Sequence, residues 1–299
     1  MWQQLIKALK NGDIRGIARS ISLVENETEG YEQFMKDLPG SSTPIIGITG
    51  PPGAGKSTLA DALIELLVKQ NKKVAVLCVD PSSPFNAGAI LGDRIRMAAW
   101  YNHPDVFIRS LATRGSLGGL THKIIEITDI LKACPFDYII VETVGVGQSE
   151  IEIAGLADLT VVVMVPEGGD EIQTMKAGLM EVADIFVVNK SDRPGADLFV
   201  NNLHAMLGPA FSHHTPPVPV VKTIASQHTG ITELVNTIVS MLKTARNNDK
   251  KYLLLAEKAW QLIINKRMSN INKSGILEQV KIKSAEKNFS LYRFVETLY

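Results

Sequence analysis

Nine consecutive residues, "GPPGAGKST" from Gly50 to Thr58, fit the pattern Gly-x-x-x-x-Gly-Lys-Ser/Thr and stand between an apolar run, "PIIGIT" (44–49), and a helical stretch beginning near Ser57. The chemistry of that spacing is phosphate capture. Gly50, Gly53 and Gly55, with Pro51, Pro52 and Ala54 between them, let the backbone turn tightly, so that loop N–H groups and the helix N-terminus surround a phosphate. Lys56 then neutralises β and γ oxygens, and Ser57 offers a hydroxyl to Mg²⁺. A plain Gly-Pro turn is the competing reading; the strand before it and the helix after it speak for the phosphate loop.

A second stretch addresses the base. "NKSD", residues 189–192, follows the apolar run "IFVVN" and matches the Asn-Lys-x-Asp signature of guanine sites. Asp192 can accept from both the N1–H and the exocyclic amine of guanine, whereas adenine presents an acceptor at N1 and no amine at C2. A buried carboxylate facing adenine loses its partners, and such sites discriminate by roughly 10⁴ or more. Asn189 is expected to tie this loop back to the phosphate loop, with Lys190 part of the same signature. Four residues alone could be a polar turn at a strand end; after a phosphate loop, and in strand order, they favour GTP over ATP. Ile224, Ala225 and Ser226 follow the next strand and form a second base-side loop, whose backbone amides could hold guanine O6. Ile224 stands where serine is usual.

"VETVGVGQSE", residues 141–150, resembles an Asp-x-x-Gly switch with its first letter changed to Glu142. Gly145 is placed to offer its N–H to a γ-phosphate, and Glu142 to serve Mg²⁺ or the attacking water. In Ras-like enzymes a water-orienting Gln follows that glycine; here Val146 does, and Gln148 comes two positions later, which predicts slow intrinsic hydrolysis. Asp80, at the end of an apolar run, can reach the metal or its waters. Asp93 is a second acid nearby, equally suited to catalysis and to a helix N-cap. Glu142, Lys56, Asp80 and Asp93 are therefore the candidate catalytic residues, and Ser57, Asp80 and Glu142 the candidate metal ligands. Arg109 and Arg114, in "RSLATRGSLGGL", suit either a phosphate or partner contact or a solvated loop. Glu167, Asp170, Glu171, Gln173 and Lys176 lie in a loop after another strand, where ligand contact and plain surface charge are both open.

The elements that must position these residues follow from the apolar pattern. Seven short β-branched runs, at 44–49, 74–79, 105–110, 137–143, 159–165, 185–189 and 219–225, alternate with helical stretches. Continuous apolarity implies strands covered on both faces, hence a mostly parallel sheet flanked by helices. The expected organisation is an α/β P-loop NTPase domain over 41–245, an N-terminal helical extension over 1–40 and a C-terminal helical segment over 246–299. Trp2, Leu5, Ile6 and Leu9 recur at helical spacing and suit packing within the chain better than a membrane surface. Leu254, Leu255, Trp260, Leu262 and Ile263 exceed one narrow face, so that helix needs cover from its own chain or from a dimer mate.

Composition narrows the class. Thirty-one Lys and Arg balance 31 Asp and Glu, so no global field favours nucleic acid or an anionic membrane. No apolar stretch approaches the roughly 18 residues of a membrane span, and no signal-peptide core is evident, which suits a cytoplasmic protein. Cys78 and Cys134 share no ligand spacing and are expected buried and reduced.

Together "GPPGAGKSTL", "VDPSSPFNAGAILGDRIRM", "RGSLGGL", "ETVGVGQSE" and "GGDEIQTMKAGLMEVADIFVVNKSD" resemble the MeaB, ArgK and MMAA group of SIMIBI-class GTPases over about residues 10–245. The resemblance implies a homodimeric, Mg²⁺-dependent GTPase chaperone that gates cobalamin loading and protects adenosylcobalamin-dependent methylmalonyl-CoA mutase or a related acyl-CoA mutase. It implies Gly50 to Thr58 on the phosphates, Asp192 and 224–226 on the base, Asp80, Asp93 and Glu142 as switch acids, Gln173 to Lys176 in a third switch, and a C-terminal dimer arm. The tail "NKSGILEQVKIKSAEKNFSLYRFVETLY" departs from the group's pattern. A P-loop kinase or ATPase of lysine, arginine and ornithine transport is the alternative. A nickel-delivery GTPase is a third reading, although the six histidines, His213 and His214 among them, form no tract or cluster with cysteine.

Overall fold

The β-branched runs become seven strands because each can be buried on both sides. The computed structural model describes residues 1–80, 97–112, 123–143, 149–166, 177–210, 218–244, 249–268, 273–284 and 289–297. The strands are β1 (Ile45–Thr49), β2 (Val74–Asp80), β3 (Val106–Ala112), β4 (Tyr138–Thr143), β5 (Leu159–Met164), β6 (Ile185–Val188) and β7 (Val220–Lys222). They form one sheet in the order β3-β2-β4-β1-β5-β6-β7, and every recorded pairing is parallel. The last strand ends early, at Lys222, because Ala225–Gln227 turns into a 3₁₀ helix.

The two faces bury alternate residues of the same strand. On one side Val161 and Val163 of β5 pack with Leu59 and Leu63 of α4 (Lys56–Lys69) and Leu234 and Ile238 of α9 (Ile231–Lys243). On the other, Val162 and Met164 meet Ala154 of α6 (Ser149–Leu156), Leu179 of α7 (Ala177–Val182) and Phe199 and Leu203 of α8 (Ala196–Ala210). The chain runs from β1 outward to β2 and β3, returns through β4, and then builds β5 to β7 beyond β1. Its connections thus diverge around β1, and in such sheets ligands bind at the carboxyl ends beside that point.

Three helices, α1 (Trp2–Lys10), α2 (Ile14–Glu25) and α3 (Tyr31–Lys36), precede the sheet. The Asp13 side chain caps α2 by accepting from the Arg15 and Gly16 amides. Leu5, Leu9, Ile17, Ile21, Val24 and Phe34 are buried, and Trp2 stacks on Phe34 at 4.8 Å while donating to the Glu29 carbonyl. The first helix therefore packs within the chain. Arg109 departs from both of its expectations: on β3 it donates to Glu25 Oε2 at 2.7 Å and Ser22 Oγ at 3.2 Å, fixing α2 to the sheet. Lys123, before α5 (Ile124–Lys132), pairs with Glu27, two residues past α2, at 2.7 Å and sits over the Tyr31 ring. Burial opposes the Lys123 charge, but Glu27, Glu126 and Tyr31 outweigh it and hold the ammonium above its ordinary range. Both cysteines are free and buried, and burial pushes the Cys134 thiol up to about 12.

Two compact units are distinguished, Met1–Tyr252 and Leu253–Tyr299, so α10 (Asp249–Arg267) begins in the first and ends in the second. In the first, Lys251 bonds Asp158 at 2.7 Å, and Asp158 also accepts from the Ile45 amide at the start of β1. In the second, α11 (Lys273–Lys283) is followed by α12 (Leu291–Glu296), where Phe294 is buried against Phe289 and beneath Lys283. Leu253, Trp260 and Ile263 are exposed. Among the described residues no helix is long and apolar enough to cross a membrane.

Close approach of α6 to β1 rests on Gly47, where a Cβ would lie 2.7 Å from Ile153 Cγ1 and 3.1 Å from Ala157 Cβ. Gly47→Ala is expected to destabilise the protein by about 1–3 kcal/mol through overpacking. Denaturant unfolding checks this, and an unchanged midpoint would show that α6 can ride further out at no cost.

Candidate functional site

The phosphate loop leaves β1 at Thr49 and enters α4 at Lys56. Its first and last glycines are required by different neighbours. Gly50 has φ +139°, and a Cβ there would lie 2.1 Å from the Val163 carbonyl oxygen of β5. Gly55 has φ +87°, and its Cβ would lie 2.4 Å from Asn189 Nδ2. The buried Lys56 ammonium donates to the Gly50 and Pro51 carbonyls at 2.9 and 3.0 Å, which holds a positive charge across the loop.

Ser57, in the first turn of α4, donates its hydroxyl to Glu142 Oε1 at 2.6 Å, and both residues are buried. Glu142 reaches it from β4, where it pairs in register with Ile48 of β1. One residue on, Thr143 donates to Thr49 at 2.9 Å, so the last residues of β4 and β1 are joined side chain to side chain. Asp80 ends β2, one residue beyond Val79, which is paired with Thr143; its backbone therefore reaches the same sheet edge. The Asp80 side chain lies outside the described residues, as do Asp93, Arg114, Gly145, Val146, Gln148, the loop carrying Glu167, Asp170, Glu171, Gln173 and Lys176, and His213 and His214.

On the base side the buried Asn189 joins three loops. Its Nδ2 donates to the Ala54 carbonyl at 2.9 Å, and its Oδ1 accepts from Thr223 Oγ1 and from the Ala225 amide, each at 3.1 Å. Lys190, with φ +55°, donates to the Gly53 carbonyl at 2.8 Å. Gly55, Thr58, Asn189, Lys190, Asp192, Arg193, Ile224, Ala225 and Ser226 line a cavity of about 200 Å³. The Ile224 amide is committed to the Thr229 carbonyl and the Ala225 amide to Asn189, which leaves Ser226 as the residue of that triplet with an uncommitted amide among the described residues. Ile224 contributes no polar side chain; Thr223, one residue earlier, supplies the hydroxyl.

The structure thus gathers Gly50 to Thr58, Glu142, Asn189, Lys190, Asp192 and 224–226 at the carboxyl ends of β1, β4, β6 and β7. Thr49, Thr143, Thr223 and Arg193 are the additions. The threonines carry no motif of their own, and their signal was only their place at strand ends; Arg193 directly follows Asp192. Chemically, the arrangement offers a cation and loop amides for phosphates, a carboxylate lining a base-sized cavity, and, on the β4 side of the loop, a hydroxyl paired with a carboxylate.

A parallel sheet with a phosphate loop after its central strand and an Asn-Lys-x-Asp loop after β6 defines a P-loop GTPase, an enzyme that binds guanine nucleotide and hydrolyses GTP. The sequence model of the family described as "Methylmalonyl Co-A mutase-associated GTPase MeaB" matches residues 17–279, and the chain belongs to that family. A Pyrococcus abyssi protein with GTPase in its name is 42% identical over 98% of this chain and 94% of its own. The Caenorhabditis elegans protein named "Methylmalonic aciduria type A homolog, mitochondrial" is 39% identical over 64% of this chain and 52% of its own. Among solved structures, that of an LAO/AO transport system kinase superposes with a TM-score of 0.67 at 25% identity, covering 99% of this chain and 96% of that one.

Asn189→Ala would leave the Ala54 carbonyl, the Thr223 hydroxyl and the Ala225 amide without this partner, and each buried group so stranded costs about 1–3 kcal/mol. GDP and GTP affinities are both expected to fall, by about tenfold or more. Titration calorimetry reads this directly, and unchanged affinities would show that the three loops hold one another without the amide.

Proposed function

We propose that this chain is a slow GTPase whose nucleotide state gates cobalamin loading of an adenosylcobalamin-dependent methylmalonyl-CoA mutase, or a related acyl-CoA mutase, and protects it from inactivation. The observation that carries the reading is the 2.6 Å bond from Ser57 to Glu142. It joins the phosphate-binding helix to the strand that leads into 144–148, so whatever rearranges Ser57 is felt where β4 ends. The family description supplies the mutase, and the name of the nematode relative agrees with it.

In this reading the amides of Gly50 to Thr58 and the Lys56 ammonium hold the phosphates, with Pro51, Pro52, Gly53, Ala54 and Gly55 shaping the loop. Asn189 and Lys190 position Asp192 against the guanine N1–H and amine, and the Ile224–Ala225–Ser226 turn closes the pocket over O6. A hydroxyl and a carboxylate oxygen 2.6 Å apart, with Asp80 ending on the same edge, are the hard oxygen donors that suit Mg²⁺. Ser57, Glu142 and Asp80 would hold it, and its chemistry would be to neutralise phosphate charge. Glu142 either keeps that position or orients water; Asp93 and Gly145 complete the γ-phosphate side. The exposed Leu253, Trp260 and Ile263 support 246–299 as a dimerisation segment, following in sequence the helical extension at 1–40 and the GTPase domain at 41–245. The name of the solved kinase favours a transport kinase as the second reading, but Asp192, an exposed carboxylate lining the cavity after β6, suits the guanine N1–H and amine and argues against it.

Glu142→Ala is expected to lower kcat by about tenfold or more while GDP affinity stays nearly intact. Single-turnover phosphate release checks it, and wild-type turnover in the variant would remove Glu142 from the mechanism. For the partner, co-purification with the mutase is expected to differ between GDP and a non-hydrolysable GTP analogue. Equal binding and equal cofactor loading in both states would sink the chaperone reading.

A further inference from the structure

The chain leaves β2 at Asp80 and is next described at Met97, which leads into one 3₁₀ turn, Ala98–Trp100. Two side chains there are fastened to the phosphate site. Met97 is wholly buried, its sulfur 3.9 Å from Cys78 Sγ on β2, and Cys78 is the residue in register with Glu142. Trp100 donates its indole N–H to Asp61 Oδ1 at 2.6 Å. Asp61 stands on α4 four residues beyond Ser57, about one helical turn away. The connections therefore close a ring: Glu142 to Ser57, along α4 to Asp61, across to Trp100, back through Met97 to Cys78, and over one strand to Glu142 again.

An indole N–H needs only one neutral acceptor, and a backbone carbonyl would serve. A carboxylate makes the bond charge-assisted and shorter, and so fixes Trp100 more firmly along the helix. The indole is also held against the core and edge-on to His103 at 5.6 Å, so it has little freedom to follow a displaced Asp61.

We propose that Asp61 is a positioning residue for GTP hydrolysis: through Trp100 it sets where the chain returns from Asp80 relative to Ser57 and Glu142, and Trp100 reports the nucleotide state. The proposal rests on the GTPase activity but not on the mutase.

The test uses the full chain. Asp61→Ala and Trp100→Phe are each expected to lower kcat about tenfold, the scale of a small misplacement of reacting groups, with the KM for GTP and the affinity for GDP within about twofold. Asp61→Asn, which keeps an acceptor oxygen in place, is expected to restore most of kcat. Three tryptophans are present, so Trp2→Phe with Trp260→Phe leaves Trp100 alone as the emitter, with that background's own turnover as reference. Its emission is expected to differ between GDP and a non-hydrolysable GTP analogue, and the difference to vanish with Asp61→Ala. Wild-type kcat in Asp61→Ala, or identical Trp100 emission in both nucleotides, overturns the proposal. So does an Asp61→Asn variant as impaired as Asp61→Ala, or a fall in kcat that only tracks a fall in melting temperature, since neither would leave the accepting oxygen as the positioning group. Absence of turnover in the unsubstituted protein would instead count against the hydrolysis itself.

Discussion

The site depends first on one buried primary amide. Asn189 is 2% exposed, and its donor and acceptor sides tie its own loop to two others, reaching Ala54 on one side and Thr223 and Ala225 on the other. Each bond taken singly contributes about 1 kcal/mol. Their joint effect is geometric: the loops after β1, β6 and β7 cannot shift separately without leaving a buried polar group unmatched. Gly55 belongs to the same constraint, because Nδ2 passes where a side chain at that position would begin. Lys190 adds a second strut, to Gly53, from the exposed side. Phosphate and base subsites are thus one rigid body before any nucleotide is considered.

The opposite flank is built differently. On the β4 side the Ser57 hydroxyl of α4 rests on the Glu142 carboxylate and Thr143 on Thr49, while within the loop itself the Lys56 ammonium rests on two carbonyls. These groups can exchange partners for a phosphate oxygen or a hard cation without a buried amide being stranded. The buried Asn189 amide, with Lys190 outside it, holds one side, and hydroxyl and carboxylate contacts hold the β4 side. That asymmetry is what a nucleotide switch needs, since recognition must stay put while the response moves. The ring through Asp61 and Trp100 extends the exchangeable side outward to β2 and to the chain that rejoins it at Met97.

The sheet was legible because continuous apolarity has one common cause, burial on both faces, and every one of the seven runs became a strand within a residue or two, except that β7 is clipped at Lys222. The phosphate loop was legible because Gly, Lys and Ser at fixed offsets have few other uses. What escaped were contacts between residues remote in sequence that carry no motif. Thr49 and Thr143 are 94 residues apart and Trp100 and Asp61 are 39, and nothing local marks either member; Asn189 stood in a motif, but its partner Thr223, 34 residues on, did not. Arg109 was misleading for the same reason. Beside a Gly-rich turn an arginine reads as a phosphate or solvent group, yet Glu25, 84 residues earlier, claims it for the N-terminal helices. The apolar run at 253–263 was visible as excess hydrophobicity, but periodicity says only that such a helix needs cover, not from which chain.

The altered first letter of the switch has a structural reason of the same kind. Glu142 is paired with Ile48, two residues before the phosphate loop begins, and still places a carboxylate oxygen 2.6 Å from the Ser57 hydroxyl. One carbon–carbon bond spans about 1.5 Å, so an aspartate on the same backbone would stop short of that hydroxyl by nearly that much. Restoring the contact with aspartate would require β4 to slide along β1 or α4 to tilt towards it. The first would break the register that aligns Thr143 with Thr49. The second would draw the loop away from Asn189, whose Nδ2 donates to the Ala54 carbonyl from the other side of β1. With Asn189 holding one side and the two strand ends joined, the longer side chain is the change that lets β4 reach the Ser57 hydroxyl at all.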